Sequence, residues 1–149
     1  MPEALTGGCA CGAVRYAAEG EPTERALCHC TLCRATTGAP AVAWFTVPTD
    51  VFRYTAGAPR SYASTPEAVR EFCGTCGTQL TFARHDYGGR RIDVTTASLD
   101  DPERAPPREH IWTRSRLSWM TALGDLPEQP TDNATAHDRS GSGAGNGAD

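Results

Sequence analysis

Seven cysteines gathered into three tight groups constrain this 149-residue chain more than any other feature. Cys9-Ala10-Cys11 is a C-x-C pair, Cys28-His29-Cys30-Thr31-Leu32-Cys33 packs three thiols into six residues, and Cys73-Gly74-Thr75-Cys76 is a C-x-x-C pair. An odd count in such spacings fits a secreted disulfide framework poorly and fits metal binding well. In an extended segment side chains alternate faces, so Cys28 and Cys30 point one way and His29 the other. A turn through Thr31 and Leu32 brings Cys33 to the same point. Structural zinc sites fill four corners of a tetrahedron, whereas catalytic ones keep three protein ligands and an open position. Two other readings stand beside the open site: a closed site completed by a distant fourth donor, and inert buried thiols.

The outer pairs complement each other. Glycines flank both pairs, at Gly7, Gly8 and Gly12 around the first and at Gly74 and Gly77 in and after the second. They let the backbone turn tightly and bring amides toward the sulfurs. A C-x-x-C followed by glycine is a zinc-ribbon half-site, and no βαβ pattern surrounds it that would suggest a thioredoxin-type redox pair. Pairing Cys9 and Cys11 with Cys73 and Cys76 makes a four-thiolate site and leaves Cys28, Cys30 and Cys33 as a three-thiolate site. The spacing does not force this partition, because either pair would also complete the central cluster. A structural zinc contributes roughly 10–16 kcal/mol in small peptides, against roughly 5–15 kcal/mol of net stability for a whole domain. A site that joins Cys9 to Cys76 therefore decides whether the fold exists.

Around these groups the chain reads as short strands and turns. Val14 and Tyr16 share a face of a strand at 13–17. The run 41–47 is apolar, aromatic and β-branched, as a buried strand requires. Further strands are expected at 51–54, 60–64, 69–72, 79–82 and 91–95. A hairpin turn is expected at 65–68 and a short helix over 115–123. Residues 1–130 are taken as one domain. From Thr131 small polar residues dominate, so 131–149 is expected to be a disordered tail. All 14 basic residues are arginine, which removes any lysine Schiff-base chemistry, and the net charge of -4 argues against general nucleic-acid binding. No apolar run is long enough to span a bilayer. The N-terminus has neither a basic nor an apolar signal region, so a cytoplasmic location is expected.

The segments from Gly7 to Tyr16, Cys28 to Arg34 and Arg70 to Gly77 together resemble the glutathione-dependent formaldehyde-activating enzyme family, which shares its domain with centromere protein V. Ser98–Pro102, His110-Ile111-Trp112 and Trp119 fit its looser later motifs. The resemblance covers roughly residues 5–127. It implies a mainly β fold of small zinc-stapled antiparallel sheets with irregular loops, like that of a Rab GTPase exchange protein. It implies two zinc ions per chain: a structural one on Cys9, Cys11, Cys73 and Cys76, and a catalytic one on Cys28, Cys30 and Cys33. It also implies carbon–sulfur lyase chemistry that joins glutathione to formaldehyde. A non-catalytic zinc-stabilised binding module is the alternative. Arg34, directly after the central cluster, is the candidate for a substrate carboxylate. His29 and His110 are read as structural, and Trp44, Trp112 and Trp119 as core.

Overall fold

The computed structural model describes residues 2–131. The expected tail lies outside the described residues apart from Thr131. The described residues group into two compact units that divide between Leu117 and Ser118.

Among the described residues the first unit is built from ten strands and one α-helix, with short 3-10 segments between them: β1 (Leu5–Gly8), β2 (Arg15–Ala18), β3 (Glu24–Cys28), α1 (Thr31–Thr37), β4 (Val42–Pro48), β5 (Phe52–Ala56), β6 (Arg60–Thr65), β7 (Ala68–Phe72), β8 (Gln79–Arg84), β9 (Arg91–Thr95) and β10 (Glu109–Ile111). They form a three-stranded sheet in the order β1-β2-β5 and a seven-stranded sheet in the order β10-β3-β4-β9-β8-β7-β6. Every pairing is antiparallel except β10 with β3. The fold is therefore mainly β, as the sequence predicts.

Strand alternation divides the large sheet into two faces. Phe45 and Val47 of β4, Ile92 and Val94 of β9 and Leu80 of β8 join Leu5, Tyr16 and Ala18 of the small sheet in one buried cluster. Residues of opposite parity, Val42 and Trp44, join Cys28, Cys33, Phe82 and Ile111 in a second cluster. Leu80 and Phe82 fall in different clusters despite equal parity. The register of β7 with β8 shifts between Glu71 and Phe72. Such a bulge lets Leu80 and Thr81 both turn inward before alternation resumes.

Three strands, β1, β3 and β10, go beyond the expected set. They are short, β1 ends in two glycines, and β10 is held by parallel pairing with a strand some eighty residues earlier. The helix expected over 115–123 is not α-helical. Two 3-10 segments, Thr113–Ser115 and Ser118–Asp125, stand there, and neither has a buried residue. A segment this short has too little cooperativity to nucleate an α-helix without packing. Trp44 is buried as expected, but Trp112 and Trp119 are 51% and 52% exposed and not core. Among the described residues no helix is long and apolar enough to cross a membrane.

Candidate metal centres and the cleft beside them

All seven cysteines are free, and their sulfurs fall into the groups Cys9, Cys11, Cys73, Cys76 and Cys28, Cys30, Cys33, with the ligand atoms of each group within 4.8 Å of one another. The first group lies where the β1–β2 loop meets the β7–β8 loop. Gly12 and Gly77, at φ of 80° and 79°, take left-handed turns that L side chains resist. The amides of Thr75 and Cys76 donate to Cys73 Sγ at 3.4 and 3.5 Å, and the amide of Val14 donates to Cys9 Sγ at 3.2 Å. The Cys76 and Thr75 amides hold the Cys73 thiol below its usual range, against the burial that opposes them. Ala10 N–H donates to Thr78 Oγ1 at 3.0 Å and ties the two loops directly.

The second group lies where β3 runs into α1. Cys28 ends the strand. Cys30 caps the helix, its sulfur accepting from the Cys33 amide at 3.2 Å, and Cys33 is the helix's buried residue. The turn inferred at Thr31 and Leu32 is thus the first turn of a seven-residue helix. Gly38 closes that helix in the left-handed region.

The sulfur spacing tests whether a metal ion fits. Bonds of about 2.3 Å in a tetrahedron put sulfurs about 3.8 Å apart, whereas a disulfide needs about 2.0 Å. The separations are 3.6 Å for Cys9–Cys11, 3.8 Å for Cys11–Cys73 and 3.6 Å for Cys28–Cys33. Both groups therefore have the donor set and the spacing to hold a metal ion. Proton chemistry agrees in the central group. Hydrogen bonds from Cys28 and Cys33 pull the Cys30 thiol down, while contacts with Cys30 and Cys33 push Cys28 up. Three sulfurs this close cannot all ionise unless a cation shares their charge. Among the described residues no fourth His, Cys, Asp or Glu joins the central group.

His29 lies 0% exposed outside the sulfur group, and its Nε2 meets His110 Nδ1 at 2.9 Å, with one proton shared between the two nitrogens. Burial first, then the nearby His110 and arginines, depress its pKa, so it stays neutral. This pair fastens β10 beside the cluster, together with the His29 amide donating to the Ile111 carbonyl.

The three sulfurs line a cleft of about 430 Å³ on the second face of the large sheet. Its floor includes a transverse row in register: Glu24 opposite Thr46, Thr46 opposite Asp93, Asp93 opposite Phe82, and Phe82 opposite Arg70. Four arginines line the cleft. Arg84 pairs with Asp86 and Arg91 with Glu24, both beside the Tyr87 ring. Arg70 reaches Cys33 and Ser64. Arg114 stacks 5.0 Å from the Trp112 ring and has no ion pair among the described residues. Trp112 is the one described non-glycine residue at positive φ, 57°, a conformation that costs about 1–3 kcal/mol and is characteristic of ligand-binding edges. Arg34 lies on α1, half-buried, and is not among the residues lining the cleft. Reading the sequence alone misses Arg70, Asp93 and Arg114. The available signal was strand parity for Asp93, which alternates with the core residues Ile92 and Val94 on β9; the neighbours of Arg70 on β7, Val69 and Glu71, are only half-buried and give no such signal.

The chain is similar to the crystal structure of a Rhodobacter sphaeroides protein, with a TM-score of 0.57 and 26% identity over 70% of this chain and 98% of that one. It is 35% identical over 83 residues to a Schizosaccharomyces pombe protein named as an uncharacterized lyase, an alignment that spans 56% of this chain and 59% of that relative's length. Residues 4–115 match the family described as glutathione-dependent formaldehyde-activating enzyme. That match takes in both cysteine groups and the cleft, and the chain belongs to this family.

Proposed function

We propose that this protein is a zinc-dependent carbon–sulfur lyase of thiol–aldehyde adducts, with glutathione and formaldehyde as its substrate pair and two zinc ions per chain. The observation that carries the reading is the central cysteine group: three sulfurs in the wall of a cleft, with no fourth protein donor among the described residues. Zinc held there supplies Lewis acidity and lowers the proton affinity of a thiol that reaches it. In the synthetic direction the thiol sulfur bonds to the aldehyde carbon. The carbonyl π pair moves to oxygen, which gains the proton that the thiol gives up, so no further reactant is needed.

The chain's own residues position this encounter. Trp44 and Phe82 give the floor an apolar body, and a cleft of about 430 Å³ suits a ligand of tripeptide size. The thiol's carboxylate is assigned to Arg114 in preference to Arg34, because Arg114 lines the cleft and has no acidic partner among the described residues. The seven free cysteines support a reducing, cytoplasmic setting.

The test is exchange of formaldehyde with S-hydroxymethylglutathione, followed by NMR. Zinc-loaded protein should exceed the spontaneous rate. Arg114→Ala should weaken glutathione binding about tenfold or more, the equivalent of a charge-assisted hydrogen bond of roughly 1.5–3 kcal/mol, and Arg34→Ala should weaken it less. No acceleration by fully loaded protein would refute the lyase and favour a zinc-stabilised binding module.

A further inference from the structure

Arg70 is the one buried arginine among the described residues, 3% exposed. An arginine stays charged at any depth, and a buried charge without a partner is strongly disfavoured. No carboxylate pairs with it among the described residues. Its Nε donates to Ser64 Oγ at 3.1 Å, and its guanidinium lies 4.8 Å from the Phe82 ring centroid. A hydroxyl dipole and an aromatic face solvate a cation but do not neutralise it. The remaining partner is sulfur: Nη1 and Nη2 both point at Cys33 Sγ, at 3.7 and 3.6 Å. Two donors converging on one sulfur suit a thiolate, since a neutral thiol is a weak acceptor.

Three thiolates and one divalent cation leave a formal charge of -1. We propose that Arg70 is the built-in counter-charge of the three-cysteine centre, bringing it to neutrality and biasing its open position toward an anionic ligand, a thiolate, over a neutral one. This rests on the zinc reading above and gives that site a source of selectivity. An entering thiolate would take the bare centre from -1 to -2, but with Arg70 present only from 0 to -1. A neutral ligand changes neither total. Arg70 is thus a positioning and charge-balancing residue, acting through Cys33 and not on the aldehyde.

The prediction is read by ligand charge, independently of turnover. Cobalt(II) in place of zinc reports each ligand entering the centre by its visible absorption. The probes are 2-mercaptoethanol, which binds as a thiolate and carries no carboxylate for Arg114, and imidazole, which binds neutral. Arg70→Met should weaken mercaptoethanol binding about tenfold or more and leave imidazole within about twofold, while Arg70→Lys should restore most of the thiolate affinity. Equal weakening of both ligands would show a merely structural role and overturn the proposal, as would unchanged thiolate binding. If Arg70→Met does not fold, Arg70→Gln, which keeps a donor for Ser64, is judged by the same two ratios. Charge-selective loss in Arg70→Met alongside wild-type protein that does not accelerate exchange would sink the lyase reading and leave this one standing. Wild-type protein that takes up no ion at the central cysteines would overturn both.

Discussion

Cys30 has two roles that substitution can separate. Its sulfur belongs to the central group, and it also caps α1 by accepting from the Cys33 amide at 3.2 Å. Serine keeps an acceptor of the type preferred at that position, whereas alanine removes it, a loss of roughly 0.5–2 kcal/mol and typically about 1 kcal/mol. Both substitutions remove a sulfur and, in the zinc reading proposed above, should lower the metal content from two ions per chain to one. They should nevertheless melt at different temperatures, because only Cys30→Ala leaves the first turn of α1 uncapped. For a domain of this size about 1 kcal/mol corresponds to a shift of roughly 3–5 °C. Metal analysis of purified variants and melts followed by circular dichroism read the two effects separately. Coincident melts of the serine and alanine variants would refute the cap. Two ions retained in both would refute the three-cysteine centre.

Two further expectations concern stability. Cys73→Ser should leave little folded protein, since Cys73 is buried where the loops of the two sheets meet; a variant that folds normally with one ion per chain, seen by circular dichroism and metal analysis, would refute this. Burial pushes the Asp93 carboxyl above its usual range, outweighing the hydrogen bond from Thr46 and the nearby Arg91, with Glu24 adding in the same direction. Its folded pKa thus exceeds its unfolded one, and the stability linked to its proton is lost as pH rises through the folded value. Asp93→Asn, still an acceptor for Thr46, should therefore melt above wild type at neutral pH, with the gap closing as pH falls into the ordinary carboxylate range. A gap independent of pH would count against it.

Local chemistry was legible in the sequence and long-range placement was not. C-x-C and C-x-x-C spacing marks each local sulfur cluster because neighbouring residues are forced into each other's reach; it did not force which pairs share a site, and the structure brings Cys9 and Cys11 together with Cys73 and Cys76. The β4 run was legible because one apolar face meets the core and the other meets Trp44's cluster. Trp112 was misread because aromatic bulk argues for burial, yet its left-handed backbone belongs to a lip of the cleft. Arg70 stands in the expected strand 69–72, whose sequence alternates only loosely and marks neither face as buried. Its buried guanidinium meets Cys33, 37 positions away in sequence, a contact that no local pattern encodes.

Topology gives the two cysteine groups different work. Cys11 meets Cys73 across 62 positions, while Cys28 meets Cys33 across 5. The entropy of closing a loop grows as (3/2)RT ln n, so the longer closure costs roughly 2 kcal/mol more in an unfolded chain. An ion on the four-cysteine group therefore takes correspondingly more freedom from the unfolded ensemble. It also links the β1–β2 loop of the small sheet to the β7–β8 loop of the large one, across the interior cluster the sheets share. The central group closes within a single strand-to-helix turn and spans no such gap. Its sulfurs face the cleft, whereas none of the other four lines it. In the zinc reading, the ion that fastens the fold is sealed by four sulfurs away from the cleft. In the same reading the ion left for chemistry would sit on the local group, with its fourth position open toward substrate and Arg70 proposed to set the charge it accepts.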